Sequence, residues 1–218
     1  DNALLALRKE QRLVLIGANG FLGSHLASTF SENPKLGWSP WSLGRAELDL
    51  SEPPTTAFES ELVRWTPAWG IVCAGMTDVN DCEREPELSQ RINVENTIRL
   101  LELFSRYDVK PVFFSSDSVF DGTRDRPDEE FPVSPLTHYG RQKSEVEVYI
   151  RAHFKTHLIL RTGRQLSTRP HRKNAITDIA NRINRGETDV LPKDRRITPV
   201  FIEDIGKYLK AGCRAGSI

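Results

Sequence analysis

A chain of 218 residues can bury one full hydrophobic core with at most a small appended lobe. Its 38% apolar and 28% charged residues are ordinary for a soluble globular protein, and 30 basic side chains cancel 30 acidic ones, so no nucleic-acid or membrane surface is expected. No apolar run reaches the length of a membrane span and no signal-peptide pattern opens the chain. Cys73, Cys82 and Cys213 stand at no metal-ligand spacing, so they read as free thiols in a reducing compartment, the cytoplasm.

Residues 1–11 read as a polar or helical lead-in. Leu13 to Ile16 is a short apolar run, the pattern of a strand buried on both faces. Gly17, Gly20 and Gly23 follow, and Phe21, Leu22, Leu26 and Phe30 then recur at helical spacing. A strand, a glycine turn and a helix N-terminus together build an anion site, because backbone N–H groups at the helix start point outward with partial positive charge. Glycines let a pyrophosphate and a neighbouring strand approach that turn. An ordinary strand–helix turn carries glycines too, but here they follow a buried strand and open a helix.

Asn33 to Gly37 breaks the first helix. Trp38 to Leu43 predicts a second strand, residues 55–65 a helix, and Trp69 to Cys73 a third strand ending in an Ala74-Gly75 turn. Residues 86–107 carry Leu88, Ile92, Val94, Ile98, Leu101 and Phe104 and predict a long amphipathic helix. Pro111 to Ser115 is a fourth strand, Gly122 to Pro135 a charged, proline-rich loop, residues 137–153 a helix, and Leu158 to Arg161 a fifth strand. Strands alternating with helices imply an α/β, doubly wound parallel sheet, with ligands at the strand C-termini.

Two stretches carry candidate chemistry. In Tyr139-Gly-Arg-Gln-Lys143 the tyrosine and lysine lie four apart on one helix face. An ammonium near a phenol favours the phenolate, making the tyrosine a better proton donor and acceptor near neutral pH. In Phe113-Phe-Ser-Ser-Asp-Ser-Val-Phe-Asp-Gly122, Ser115 and Ser116 stand where a buried strand ends, and a hydroxyl there can hydrogen-bond a substrate carbonyl. Either feature alone has an ordinary reading, as a solvated helix face or as a turn cap.

Taken together, these stretches resemble the extended short-chain dehydrogenase/reductase family, and within it the dTDP-4-dehydrorhamnose reductase-like, sugar nucleotide-binding branch. Gly17–Gly23, Gly44–Leu50, Cys82–Glu87, Ile92–Val94, Ser115–Gly122, Ser134–Leu136 and Tyr139–Lys143 carry the likeness, extended by Arg161-Thr162 and Arg196–Pro199 with Asp204-Ile205. The resemblance implies a Rossmann-type domain over residues 1–165 and a short substrate-side segment over residues 166–218, shorter than in relatives.

It also implies roles at matching positions. Gly17, Gly20 and Gly23 hold a cofactor pyrophosphate, lined by Asn19, Phe21 and Leu22. Asp49 and Leu50 lie against the adenine. Cys73, Ala74 and Gly75 line the cofactor at the third strand end, and Ser115 and Asn93 stand beside it. Ser116 takes the place of a catalytic threonine or serine. Tyr139 protonates the carbonyl oxygen after hydride arrives, and Lys143 binds the nicotinamide ribose and lowers the tyrosine pKa. Two departures stand out: Ser118 where the branch has a tyrosine touching substrate, and Arg161-Thr-Gly-Arg-Gln165 in place of an Arg-Thr-Ser-Trp-Val-Tyr-Gly run.

The implied activity is NAD(P)H-dependent reduction of a keto sugar, a nucleotide-linked 4-keto-6-deoxy sugar, by a cytoplasmic homodimer. The same family holds two alternatives. One is a non-catalytic NADP-binding regulatory subunit resembling the methionine adenosyltransferase beta subunit; the other is a sugar-nucleotide epimerase or dehydratase. The second strand ends without a carboxylate at Leu43-Gly44-Arg45. Arg45 can pair bidentately with a ribose 2′-phosphate and Ser42 can add a hydrogen bond, so NADP(H) is favoured and NAD(H) remains possible, with Glu47 the opposing observation.

Overall fold

Strand β1 (Arg12–Ile16) is the second strand of the main sheet, with β2 (Ser39–Leu43) paired on one side and β3 (Trp69–Val72) on the other. Outward from β3 come β4 (Lys110–Ser116) and β5 (Leu158–Thr162), giving one parallel five-stranded sheet in the order β2-β1-β3-β4-β5. The computed structural model describes residues 12–32, 38–167, 181–187 and 198–215. All five predicted strands are present, each end within a residue of its expected place. The lead-in at 1–11, the helix break at 33–37 and the first half of the Arg196–Pro199 stretch lie outside the described residues.

The apolar runs form strands because both faces of the sheet are covered. Val14, Ile16, Val72 and Phe113 point into one core layer with Phe58 and Leu62 of α2 (Thr56–Trp65). Leu13, Leu15, Ile71, Val112 and Phe114 point into the other, against Leu22, Leu26 and Phe30 of α1 (Phe21–Glu32). Neighbours along each strand therefore go to opposite layers, and both must be apolar. Fully burying one such side chain contributes about 1.5–3 kcal/mol, whereas an exposed ion pair contributes about 0–1, so these layers hold the domain together.

The long helix predicted over 86–107 is present but not regular. A separate helix α3 (Val79–Arg84) precedes it, started by Asp78, whose carboxylate accepts the N–H groups of Asn80 and Asp81. Then α4 (Pro86–Gln90) runs into a π-helical turn at Arg91–Glu95 and on into α5 (Asn96–Arg106), which packs Leu100, Leu101 and Phe104 on the sheet. Helix α6 (His138–His153) starts at Thr137, whose hydroxyl accepts the Gly140 N–H, and buries Val146 and Ile150 in the same layer.

Beyond β5, the two-residue strands β6 (Gln165–Leu166) and β7 (Val200–Phe201) pair in parallel, and helix α7 (Ile202–Ala215) follows. Ile202, Ile205 and Leu209 join the layer formed with α1. Among the described residues no helix is long and apolar enough to cross a membrane. The strand order reverses between β1 and β3, which is where a doubly wound sheet opens a crevice for ligands.

Candidate active site

At that crevice the ends of β1, β3 and β4 enclose a cleft of about 590 Å³. One wall is the start of α1, with Gly20, Phe21, Leu22 and Gly23. A second is the β3 exit, with Cys73, Gly75, Thr77 and Val79. The β4 exit adds Ser115, Ser116, Asp117 and Ser118; Tyr139 and Lys143 come from α6; and Thr162, Gly163, Arg164 and Gln165 follow β5.

The glycine turn works by close approach. Gly17 has φ +86°, and a Cβ there would lie 2.6 Å from the Ala74 backbone nitrogen, so the turn and the β3 exit touch only because Gly17 lacks a side chain. A Cβ on Gly23 would overlap the Gly17 carbonyl oxygen. The N–H groups of Gly17 and Ala18 both donate to the Leu43 carbonyl at 2.9 Å, tying the turn to the end of β2. The first turn of α1 is thereby aimed into the cleft, and helix starts leave N–H groups for an anion.

The tyrosine–lysine pair lies opposite. Tyr139 is 9% exposed and Lys143 5%. The Lys143 Nζ donates to the Phe114 carbonyl at 2.9 Å and sits 4.5 Å from the Phe113 ring centre and 5.6 Å from that of Tyr139. Burial pushes the Lys143 ammonium down to about 8. Burial also pushes Tyr139 well above the ordinary tyrosine range, with Cys82 and Asp117 adding to the rise and Ser116 opposing it. Here the expectation needs correcting. The tyrosine is raised, not lowered, because desolvation of the phenolate outweighs a lysine turned toward a carbonyl. Tyr139 is held as a protonated phenol, the form that donates.

Ser116 Oγ lies 3.1 Å from both Asp117 Oδ1 and Ser118 Oγ, able to donate to either, and accepts the Ser118 N–H at 3.1 Å. Ser115 is 3% exposed, lines the cleft, and its hydroxyl has no partner within the described protein. A buried hydroxyl without a partner is costly. This orphan, together with the glycine turn that a Cβ would fill, fits a polar dinucleotide laid along the cleft. The residues that would hold it are the start of α1, the β3 exit, Ser115 and Lys143. Helix α6 is fastened to the sheet one turn past Lys143, where buried Glu147 accepts from Arg161 of β5 at 2.6 Å.

Other expected site residues fall elsewhere. Asn19 packs its side chain against Gly44, and Ala74 lies against Gly17. Leu50 is 3% exposed within the core, so its side chain does not face a ligand. Asp49 and Arg45, assigned to the adenine and the 2′-phosphate, instead pair with each other at 2.9 Å, and the Ser51 N–H and Arg45 hold the Asp49 carboxyl below its usual range. Ser42 is exposed beside them. Glu47 turns back to accept the Gly44 N–H at 2.8 Å. Asn93 is 3% exposed and spends its amide on protein groups behind the β3 exit. The reading missed Thr77, Asp117 and Gly163–Gln165. The last three follow a strand end on the ligand edge, and that position alone could have flagged them. Cys73 is pushed up to about 12 by burial, so its thiol is not a nucleophile. Among the described residues no cluster of His, Cys, Asp or Glu could hold a metal ion.

Comparison with known proteins bears on this geometry directly. Residues 11–214 match the family described as RmlD substrate binding domain. The chain belongs to that family. As an RmlD-type chain it is 29% identical over 207 residues to a probable dTDP-4,6-dihydroxy-2-methyloxan-3-one 4-ketoreductase of Streptomyces antibioticus, covering 92% of this chain and 66% of that protein. Its fold is similar to a dTDP-4-dehydrorhamnose reductase from Bacillus anthracis, solved in complex with NADP. The TM-score is 0.81 at 22% identity, over 94% of this chain and 71% of that one. A UDP-glucose 4-epimerase of Thermus thermophilus, solved with NAD, is similar in fold at a TM-score of 0.75 and 20% identity, over 92% of this chain and 73% of that one. The RmlD-type chain spans about two thirds or less of the length of the curated relatives it matches.

Proposed function

We propose that this chain is the cofactor-binding and catalytic part of an NADPH-dependent reductase acting on the keto group of a dTDP-linked 4-keto-6-deoxy sugar. The observation that carries the reading is the arrangement across one cleft: buried Tyr139 and Lys143 on α6, with Ser116 beside them, face the glycine turn at the start of α1. The dinucleotide, when bound, supplies hydride. Tyr139, kept protonated by burial, gives its phenolic proton to the oxygen of the reduced carbonyl. The Ser116 hydroxyl orients that oxygen. The Lys143 ammonium, reached only from inside the cleft, holds a ribose hydroxyl and compensates negative charge developing on Tyr139.

Two further parts of the reading rest on the chain's surface. The Arg45 guanidinium, 78% exposed and held by one exposed carboxylate, is free to exchange Asp49 for a 2′-phosphate, which supports NADPH over NADH. The NADP in the Bacillus anthracis reductase agrees with this. We assign the protein to the cytoplasm as a homodimer through the outer faces of α5 and α6, where Val148 is 63% exposed. The deciding experiment follows loss of reduced-nicotinamide absorbance with dTDP-4-keto-6-deoxy sugar. Turnover with NADPH supports the reductase. Tight NADPH binding with no turnover of any keto sugar nucleotide would move the chain to the regulatory class.

A further inference from the structure

Behind the cleft wall, five residues form a continuous chain of polar contacts. Asn93 clamps the peptide of Met76: the Met76 N–H donates to Asn93 Oδ1 at 2.8 Å, and Asn93 Nδ2 donates to the Met76 carbonyl at 2.9 Å. The same Nδ2 also donates to Gln142 Oε1 at 2.8 Å. Gln142 Nε2 donates to Ser89 Oγ at 2.8 Å, and the Ser89 hydroxyl donates to the Pro86 carbonyl at 3.0 Å.

Every orientation in this chain follows from its first bond. A backbone N–H can only donate, so Asn93 must turn its oxygen to Met76. Its nitrogen is then left for Gln142, which must present oxygen there and nitrogen to Ser89. Asn93, Gln142 and Ser89 are 3%, 2% and 0% exposed, so water does not compete for these groups. Asn93 sits in the π-helical turn, a widened turn frequent at functional sites. Gly75 has φ +154°, and a Cβ there would come within 3.0 Å of Asn93 Oδ1, so the loop is shaped to lie on this amide.

What the chain joins is the two sides of the cleft. Met76 lies between Gly75 and Thr77, both on the cleft wall at the β3 exit, and Gln142 immediately precedes Lys143 on α6. We propose that Gln142 is a positioning residue: through Asn93 it locks the cofactor-side loop to the helix that carries Tyr139 and Lys143, so that cofactor affinity depends on the Gln142–Asn93 bond. This rests on the reading of the cleft as a dinucleotide site.

The test is a double-mutant cycle. Gln142→Met keeps length and volume but makes neither bond; Asn93→Leu removes the other partner. NADPH dissociation constants are measured by fluorescence titration for the wild type, both single variants and the double variant, with thermal melts alongside. Losing a buried hydrogen bond is equivalent to about a tenfold change in affinity. Each single variant is expected to bind NADPH about tenfold more weakly, and the double variant no more weakly than the poorer single one. A roughly hundredfold loss in the double variant, or lowered melting temperatures with unchanged affinity, overturns the proposal. Amide hydrogen exchange over residues 75–79 reads the same coupling without cofactor. About tenfold faster exchange there in Gln142→Met supports the lock, and unchanged exchange refutes it. A wild type that binds no dinucleotide removes the functional reading, and refutes the cofactor part of this proposal with it, while the exchange result still decides whether loop and helix are locked.

Discussion

The α-carbon of Gly140 lies so close under the Ser118 carbonyl that a Cβ on it would overlap that oxygen. Gly140 follows Tyr139 on α6, and Ser118 accompanies Ser116 at the exit of β4, so this contact sets the distance between the two halves of the acid–base site. Gly140→Ala must push the β4 exit away from the helix. Overpacking of this kind typically costs about 1–3 kcal/mol. A urea midpoint lowered by that amount, with reduction slowed at least tenfold and NADPH binding little changed, is the expected result. An alanine variant with wild-type turnover would show that the spacing is not critical.

Tyr139→Phe removes the phenolic proton and little else, since the ring keeps its place in the core. General acid catalysis contributes about 10²–10⁴-fold, so reduction should fall by that factor while NADPH titrates as before. Steady-state rates and cofactor binding, measured on one preparation, check both halves. Native rates in the variant would assign the proton to another group.

Lys143 makes the site responsive to pH. Burial brings its ammonium down from 10.5 to about 8. Between these values the unfolded chain holds a proton that the folded chain has released, so stability rises with pH across that window. Well below pH 8 the buried cation costs the fold on the order of 3 kcal/mol. Lys143→Met should therefore be more stable than the wild type at pH 7, by roughly 1–3 kcal/mol once the lost bond to Phe114 is counted, and the gap should narrow by pH 10. It should also be inactive. Wild-type reduction should decline as pH rises through about 8, as the cation is lost. Urea titrations at both pH values test the stability claim, and a variant less stable at pH 7 sinks it.

Arg45 is expected to discriminate between the two cofactors. Its pairing with Asp49 is exposed and weak, so a 2′-phosphate can displace the carboxylate. Arg45→Ala should weaken NADPH binding about tenfold or more and leave NADH nearly untouched. Equal losses for both cofactors would take Arg45 out of the phosphate site. Asp49→Asn, which releases the guanidinium, should strengthen NADPH binding slightly.

Much of the fold could be read from local pattern. Leu13 to Ile16 and Val112 to Phe114 are apolar at every step because both sheet faces are buried, and that leaves a signature independent of distant contacts. Tyr139 and Lys143 were visible for the same reason: a four-residue spacing is a property of the helix alone. What escaped was set by tertiary structure. The π-helical turn places Asn93 against Met76 while α5, which follows it, packs on the sheet, and no residue type announces that demand. The rise in the Tyr139 pKa comes from burial by segments far away in the chain. Strands β6 and β7 are two residues each and meet across a long connection, too short for any periodicity to register.

The cleft described above has walls drawn from five separate places: the starts of α1 and α6 and the segments that follow β3, β4 and β5. The segments after β3, β4 and β5 are each separated from the preceding strand's exit by a crossover connection. No short piece of the chain thus forms even half of the site. The capacity to bind a dinucleotide there depends on the long-range strand pairings that bring these segments together. A bound cofactor is then a ligand of the finished topology alone. It withdraws only native molecules from the folding equilibrium, and so lengthens the life of the whole domain rather than of any one element.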